Sequence, residues 1–418
     1  MYRVGFGDFF LLSVRGKSGG FVHVLIDCGV HAADLGCIGD AINQLAADTQ
    51  KQLALVIMTH RHADHISGFA RGKDVFSQFS VERVWMPWFE NPKNATAVAL
   101  QQNLAAVAIK LERQLALRAA PDDHKFQNMM SDISSVSAGG SNAIALDVLH
   151  GGFQNKAPVD YYQAGDGPTL PPSLVAAGVS ARILGPPIDP NLIAQMDNKS
   201  HQYLSMADAD PADAVIHPFA PVFAAGDKAY PDEAFALFDA EAIETSIANS
   251  QPDMLAARAQ RADNTLNNQS LVVLFEIAGK KLLFAGDAQW GNWANFLFGG
   301  KVSASGQSSL TAESKAILGA IDFYKVGHHG STNATPIDAL EAMRSGLVAM
   351  CSTEPGAYGS EKNNSEVPRK PLIAALQKRT GNRLAMSTEV AVKGTAAEGP
   401  LPSMFQSPQQ GVIDYYFA

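Results

Sequence analysis

Residues Leu53 to Gly68 read L-A-L-V-I-M-T-H-R-H-A-D-H-I-S-G. Leu53 to Met58 form a short, unbroken apolar run, the pattern of a strand buried on both faces. The run ends at Thr59, and His60, His62, Asp64 and His65 follow at once. Neutral imidazole and ionised carboxylate are the usual protein ligands of zinc and other borderline first-row cations. A loop at a strand end can aim such groups at one point, around one or two ions. Eleven histidines are scattered through the chain, and a lone one is usually an ordinary hydrogen-bonded residue. H-x-H-x-D-H in a strand-to-loop setting is a far more specific signal. This stretch predicts a metal site.

Upstream, V-G-F-G-D (Val4 to Asp8) leads into the apolar run Phe9 to Leu12. A turn over Lys17 to Gly20 separates it from Phe21 to Ile26, which ends in Asp27-Cys28-Gly29. Two strands joined by a glycine-rich turn read as a hairpin that opens a sheet. Asp27 has two readings: a carboxylate that orients a metal-bound histidine, or a hydrogen-bonded turn aspartate. Asp34 to Gln50 carries Leu35, Ile38, Ile42 and Leu45 at helical spacing and leads into the central strand.

Downstream, Val81 to Trp88 reads as a strand stopped by Pro87 and Pro92. Ala95 to Ala119 is the clearest helix, with Leu104, Val107, Leu111 and Leu115 on one face. Residues 120–142 are polar and rich in serine and glycine, hence a loop. His150 is either a further metal ligand or, more simply, a helix-terminal histidine. Val179 to Leu184 is a strand closed by Gly185-Pro186-Pro187. Residues 188–266 turn rich in alanine, aspartate and proline, with helices expected over Pro231 to Asn249 and Met254 to Asp263. They read as an insertion or lid within a single domain spanning 1–418. His201 and His217 lie within it and receive no role.

The chemistry resumes near Asn267. Ser270 to Ile277 and Lys281 to Phe284 flank Ala278-Gly279-Lys280 as a hairpin whose second strand ends in Ala285-Gly286-Asp287. Asp287 follows an apolar strand in a chain that already holds a metal loop, which makes it a candidate bridging ligand. Ile321 to Val326 delivers Gly327-His328-His329-Gly330-Ser331, two histidines at a strand end beside small residues that leave room for a substrate. Val348 to Ser352, Leu384 to Ser387 and Val412 to Phe417 read as closing strands, with a helix over Pro371 to Thr380.

Composition narrows the class. The chain has 418 residues, 46% hydrophobic and 17% charged, so a sizeable core forms and global disorder is excluded. A net charge of -9 disfavours tight nonspecific binding to long nucleic acid. Cys28, Cys37 and Cys351 form no even framework and no C-x-x-C pair, which suits reduced thiols in the cytoplasm. No signal-peptide pattern and no apolar run near ~18 residues occurs, so neither secretion nor membrane insertion is expected. There is no solenoid repeat, no phosphate-binding P-loop and no dinucleotide fingerprint.

V-G-F-G-D, L-I-D-C-G, T-H-R-H-A-D-H-I-S-G, I-L-G-P-P, L-L-F-A-G-D and K-V-G-H-H-G-S together resemble the metallo-β-lactamase-fold hydrolase superfamily. The pattern is most similar to the soluble hydrolase domain of ComEC/Rec2-like competence proteins, without their membrane-channel segments. The resemblance implies an α/β fold, an αββα sandwich of two mixed sheets with external helices. By motif position, His60 and His62 would hold a first metal, Asp64 and His65 a second, and Asp287 would bridge. His328 would complete the second site; alternatively His329 would, or would face substrate as a hydrogen-bond donor. Many members carry a further histidine between the two motifs, and the chain has no clear equivalent.

The expected activity is metal-dependent hydrolysis by two divalent ions, Zn²⁺ first and Mn²⁺ as the alternative, with a bridging hydroxide. Asp64, Asp287 and His329 are the candidate catalytic residues. The nearest branch implies a phosphodiester, and a small or nucleotide-like one suits the acidic chain better than long nucleic acid. Carboxylic esters, lactones or β-lactams form the alternative substrate class. Metal binding without turnover is the alternative from outside the enzymes.

Overall fold

The computed structural model describes residues 1–17, 19–31, 33–116, 141–203, 265–300, 309–359, 361 and 365–417. The chain is α/β, with two mixed sheets of five and six strands. The first sheet runs in the order β1 (Phe9–Arg15), β2 (Phe21–Cys28), β3 (Gln52–Ile57), β4 (Ser80–Pro87), β5 (Val159–Tyr162). Its opening hairpin is antiparallel, and β2 to β5 are parallel. The second sheet begins with β6 (Ser180–Gly185), β7 (Val272–Ile277) and β8 (Lys280–Phe284), all antiparallel neighbours. It continues in parallel through β9 (Phe323–Lys325), β10 (Val348–Cys351) and β11 (Leu384–Met386).

The sheets face each other across a shared core. Phe10, Ile26, Leu55 and Trp85 from the first meet Val273, Phe275, Phe284 and Met350 from the second. Trp85 stacks on Phe275 with ring planes 10° apart. Their outer faces are covered by helices. Ile42 and Leu45 of α1 (Ile38–Asp48) and Phe69 of α2 (Ala63–Arg71) pack on Leu25 and Val56. Trp293 and Leu297, from the helix Trp290–Phe298, and Leu372 and Leu376, from the helix Lys370–Thr380, cover Leu283 and Tyr324. This explains the apolar run at Leu53: Leu55 and Ile57 enter the inter-sheet core while Val56 and Met58 lie under the helices.

Glycine fixes how closely α2 lies on β2. A Cβ on Gly68 would stand 2.4 Å from Cys28 Sγ, so this last residue of the quoted motif admits no side chain.

Several expectations need amendment. Val412 to Phe417 is no strand; it makes only isolated bridges, Tyr2 to Val412 and Gln406 to Asp414. β5 and α2 were not anticipated. The expected loop over 120–142 lies outside the described residues except at its end, where the helix Ser141–Asp147 begins. The long helix is described over Ala95–Ala116, with Leu100 and Leu104 buried. Within 188–266, residues 204–264, and with them both expected helices and His217, lie outside the described residues. Among the described residues no helix is long and apolar enough to cross a membrane.

Candidate metal centre

The loops that leave the C-terminal ends of β2, β3, β8 and β9 meet where the two sheets face each other, the usual place for a site in an α/β sheet. Helix α2 starts immediately after His62 and carries Asp64 and His65 in its first turn. The turn after β8 supplies Asp287, and the turn after β9 supplies His328 and His329. These two histidines are consecutive left-handed residues, with φ of 43° and 50°. Such backbone is costly for residues with a Cβ and persists where surrounding contacts impose it.

Asp64, His65, Asp287 and His329 each present one ligand atom such that all lie within 4.8 Å of one another. His329 Nε2 is 3.0 Å from Asp64 Oδ2 and 3.5 Å from Asp287 Oδ2. His65 Nε2 is 3.2 Å from Asp287 Oδ2 and 3.8 Å from Asp64 Oδ2. Both rings are held from behind. His329 Nδ1 donates to Ser352 O at 2.9 Å, and His65 Nδ1 lies 2.8 Å from Asp27 Oδ2. With Nδ1 held from behind, each imidazole turns Nε2 toward the cluster, as a metal-ligating histidine requires. Asp27 is itself fixed, since Thr59 donates to it through N–H at 2.8 Å and through Oγ1 at 2.6 Å.

The electrostatics match the geometry. Burial acts against the Asp64 carboxylate, but His65 and His329 hold it well below the ordinary carboxylate range. Burial likewise opposes ionisation of Asp287, and His65, His329 and His328 overcome it. Burial disfavours charge on His65 and His329, yet Asp287 and Asp64 push both upward.

His60 and His62 stand beside this cluster rather than in it. His60 Nε2 and His62 Nδ1 face each other at 3.0 Å, and the His60 ring is 4.1 Å from that of His65. Ser270 Oγ lies 3.3 Å from His60 Nδ1 and accepts from the Asp287 N–H at 3.0 Å, joining the pair to the cluster. Burial, then His65 and His62, keeps His60 neutral. One of these two nitrogens donates to the other, and the pair forms a second candidate half-site.

Of the two alternatives left open at Gly327-His328-His329, His329 joins the four donors and is fully buried. His328 sits at the rim, its side chain 22% exposed and its Nε2 4.0 Å from Asp287 Oδ2. Asn333 Oδ1 at 3.0 Å and Ser331 Oγ at 2.8 Å hold its Nδ1. His150 is remote from both half-sites in its contacts, meeting Tyr161 OH at 3.1 Å.

The chain matches no family model and no curated protein.

Two participants escaped the sequence reading. Asp8, the end of V-G-F-G-D, belongs to a second donor group with Asp27 and His65. Lys325, at the end of β9, pairs with Asp8 and is 2% exposed. A lysine in an otherwise apolar strand was the available signal, because a buried ammonium persists only with a partner.

Proposed function

We propose that this chain is a hydrolase of the metallo-β-lactamase fold that works with two divalent cations, Zn²⁺ or Mn²⁺, on a small or nucleotide-like phosphodiester. One observation carries the reading: two carboxylates and two imidazoles, drawn from both sheets, bring their ligand atoms within 4.8 Å of one another. The layering of helices outside two facing mixed sheets supports the fold assignment.

Asp64, His65, Asp287 and His329 would hold one ion, and His60 Nε2 with His62 Nδ1 the other, with Asp287 between them. Bound cations of this kind supply Lewis acidity and lower the pKa of a coordinated water toward neutrality. The chain supplies the rest. Asp64 and Asp287 stay ionised at neutral pH and orient the charged centre. His328 takes the proton-handling role at the rim, a role the motif alone left open for His329. Burial keeps the His328 imidazole neutral. Its Nδ1 is committed to Asn333 and Ser331, and Nε2 is left to exchange a proton with a substrate oxygen. The buried thiols Cys28 and Cys351 accord with a reducing cytoplasm.

Elemental analysis of the purified protein beside Asp287→Ala tests the centre. Two ions per chain, lost in the variant, support it; none after reconstitution rejects it, and bound metal with no hydrolysis on any substrate favours metal binding without turnover. A chromogenic phosphodiester and a chromogenic lactam, assayed in parallel, then separate phosphoryl from acyl chemistry.

A further inference from the structure

Lys325 and its partner Asp8 are left unused by the proposed chemistry. The Lys325 ammonium contacts Asp8 Oδ2, lies 3.3 Å from Gly286 O and 3.8 Å from Asp287 Oδ1, and stands 5.9 Å from the centre of the Phe10 ring. Its side chain is 2% exposed, and the carboxylates it faces are those of Asp8 and Asp287. A buried cation kept charged beside a metal centre needs a reason, because a metal ion and an ammonium compete for the same carboxylates.

The two oxygens of Asp287 provide it. Oδ1 accepts from the His328 N–H at 3.1 Å and faces Lys325. Oδ2 faces His65 Nε2 at 3.2 Å and His329 Nε2 at 3.5 Å. Asp8 completes the arrangement from behind. Its Oδ1 is 3.6 Å from His329 Nδ1 and its Oδ2 is 3.7 Å from His65 Nδ1. We infer that Lys325, which also pairs with Asp8, is a positioning residue for the metal centre, holding one oxygen of Asp287 back so that the other alone is presented to the ion. The inference rests on the metal-centre reading above.

Co²⁺ alone is the probe, since its visible absorption reports coordination geometry independently of turnover. The decisive variant is Asp8→Asn/Lys325→Met, which removes one charge of each sign and so leaves the local field on a cation nearly unchanged. It is expected to bind Co²⁺ about tenfold more weakly than wild type, with an altered spectrum, as loss of an orienting partner typically does. Asp8→Asn alone keeps Lys325 against Asp287 and is expected within about threefold of wild type. Lys325→Arg, which keeps the cation, is expected to recover most of the affinity. A double variant with wild-type affinity and spectrum overturns the inference. So does an Asp8→Asn variant as impaired as the double one, because Lys325 would then act only through Asp8. Wild-type protein that takes up no Co²⁺ overturns the metal-centre reading and this inference with it, which distinguishes the two failures.

Discussion

Asp27 Oδ2 meets His65 Nδ1 at 2.8 Å and thereby fixes which nitrogen of that ring faces Asp64 and Asp287. Asp27 adopts a left-handed backbone, φ 54°, which aspartate tolerates better than most residues with a Cβ. Replacing it with asparagine leaves the volume but weakens the hydrogen bond and the ring's basicity. The expected outcome is a ~10–100-fold loss of metal affinity with little change in fold. Competition against a chromophoric chelator measures it, and unchanged affinity would remove Asp27 from the centre.

Asp64→Ala and Asp287→Ala should each lower hydrolysis by roughly two orders of magnitude or more. Asp287→Ala should also reduce the ion count per chain. Full metal content together with full activity in both variants would refute the ligand assignment.

The raised pKa of His65 and His329 implies proton exchange on metal loading. In the metal-free protein Asp287 and Asp64 raise the pKa of these rings against the effect of burial, which favours their protonated forms. An incoming cation must displace those protons, so apparent affinity rises with pH and falls in acid. Calorimetric Zn²⁺ titrations in buffers of differing ionisation enthalpy should register proton release near neutral pH. Affinity independent of pH would contradict the geometry.

Phe275 lies between the sheets, fully buried, stacked against Trp85 and edge-on to Phe284. Phe275→Ala opens a cavity at this point and should cost about 3–5 kcal/mol of stability. Denaturant titration of the metal-free protein gives the value directly. A loss below ~1 kcal/mol would mean the inter-sheet core is not packed as described.

Much of this was legible in the chain because strands buried on both faces announce themselves as apolar runs, as at Leu53 and Leu271. The donors at His60, Asp64, Asp287 and His329 follow such runs directly. What hid is equally instructive. Helix α2 contains two charged or polar site residues, Asp64 and His65, and a glycine, so its apolar stripe, Ile66 and Phe69, is too short to show periodicity. The strand β5 is four residues long. The tail from Val412 looked like a strand because its residues are largely apolar, yet its pairing stops at isolated contacts: Ile413 exchanges backbone hydrogen bonds with Met1 and fills the inter-sheet core without extending a ladder. That His329 joins the donor cluster while His328 stays at the rim depends on two successive left-handed residues, which no spacing rule announces.

The four donors are divided between the two halves of the sandwich: Asp64 and His65 follow β3, whereas Asp287 and His329 follow β8 and β9. An ion shared by all four would therefore act as a fastener across the seam as well as a reagent. Because such an ion binds only the assembled halves, each tenfold excess of free cation over its dissociation constant would add about 1.4 kcal/mol to folding stability. A chelator would then behave as a mild denaturant, and the melting temperature would serve as a gauge of how much metal the protein carries.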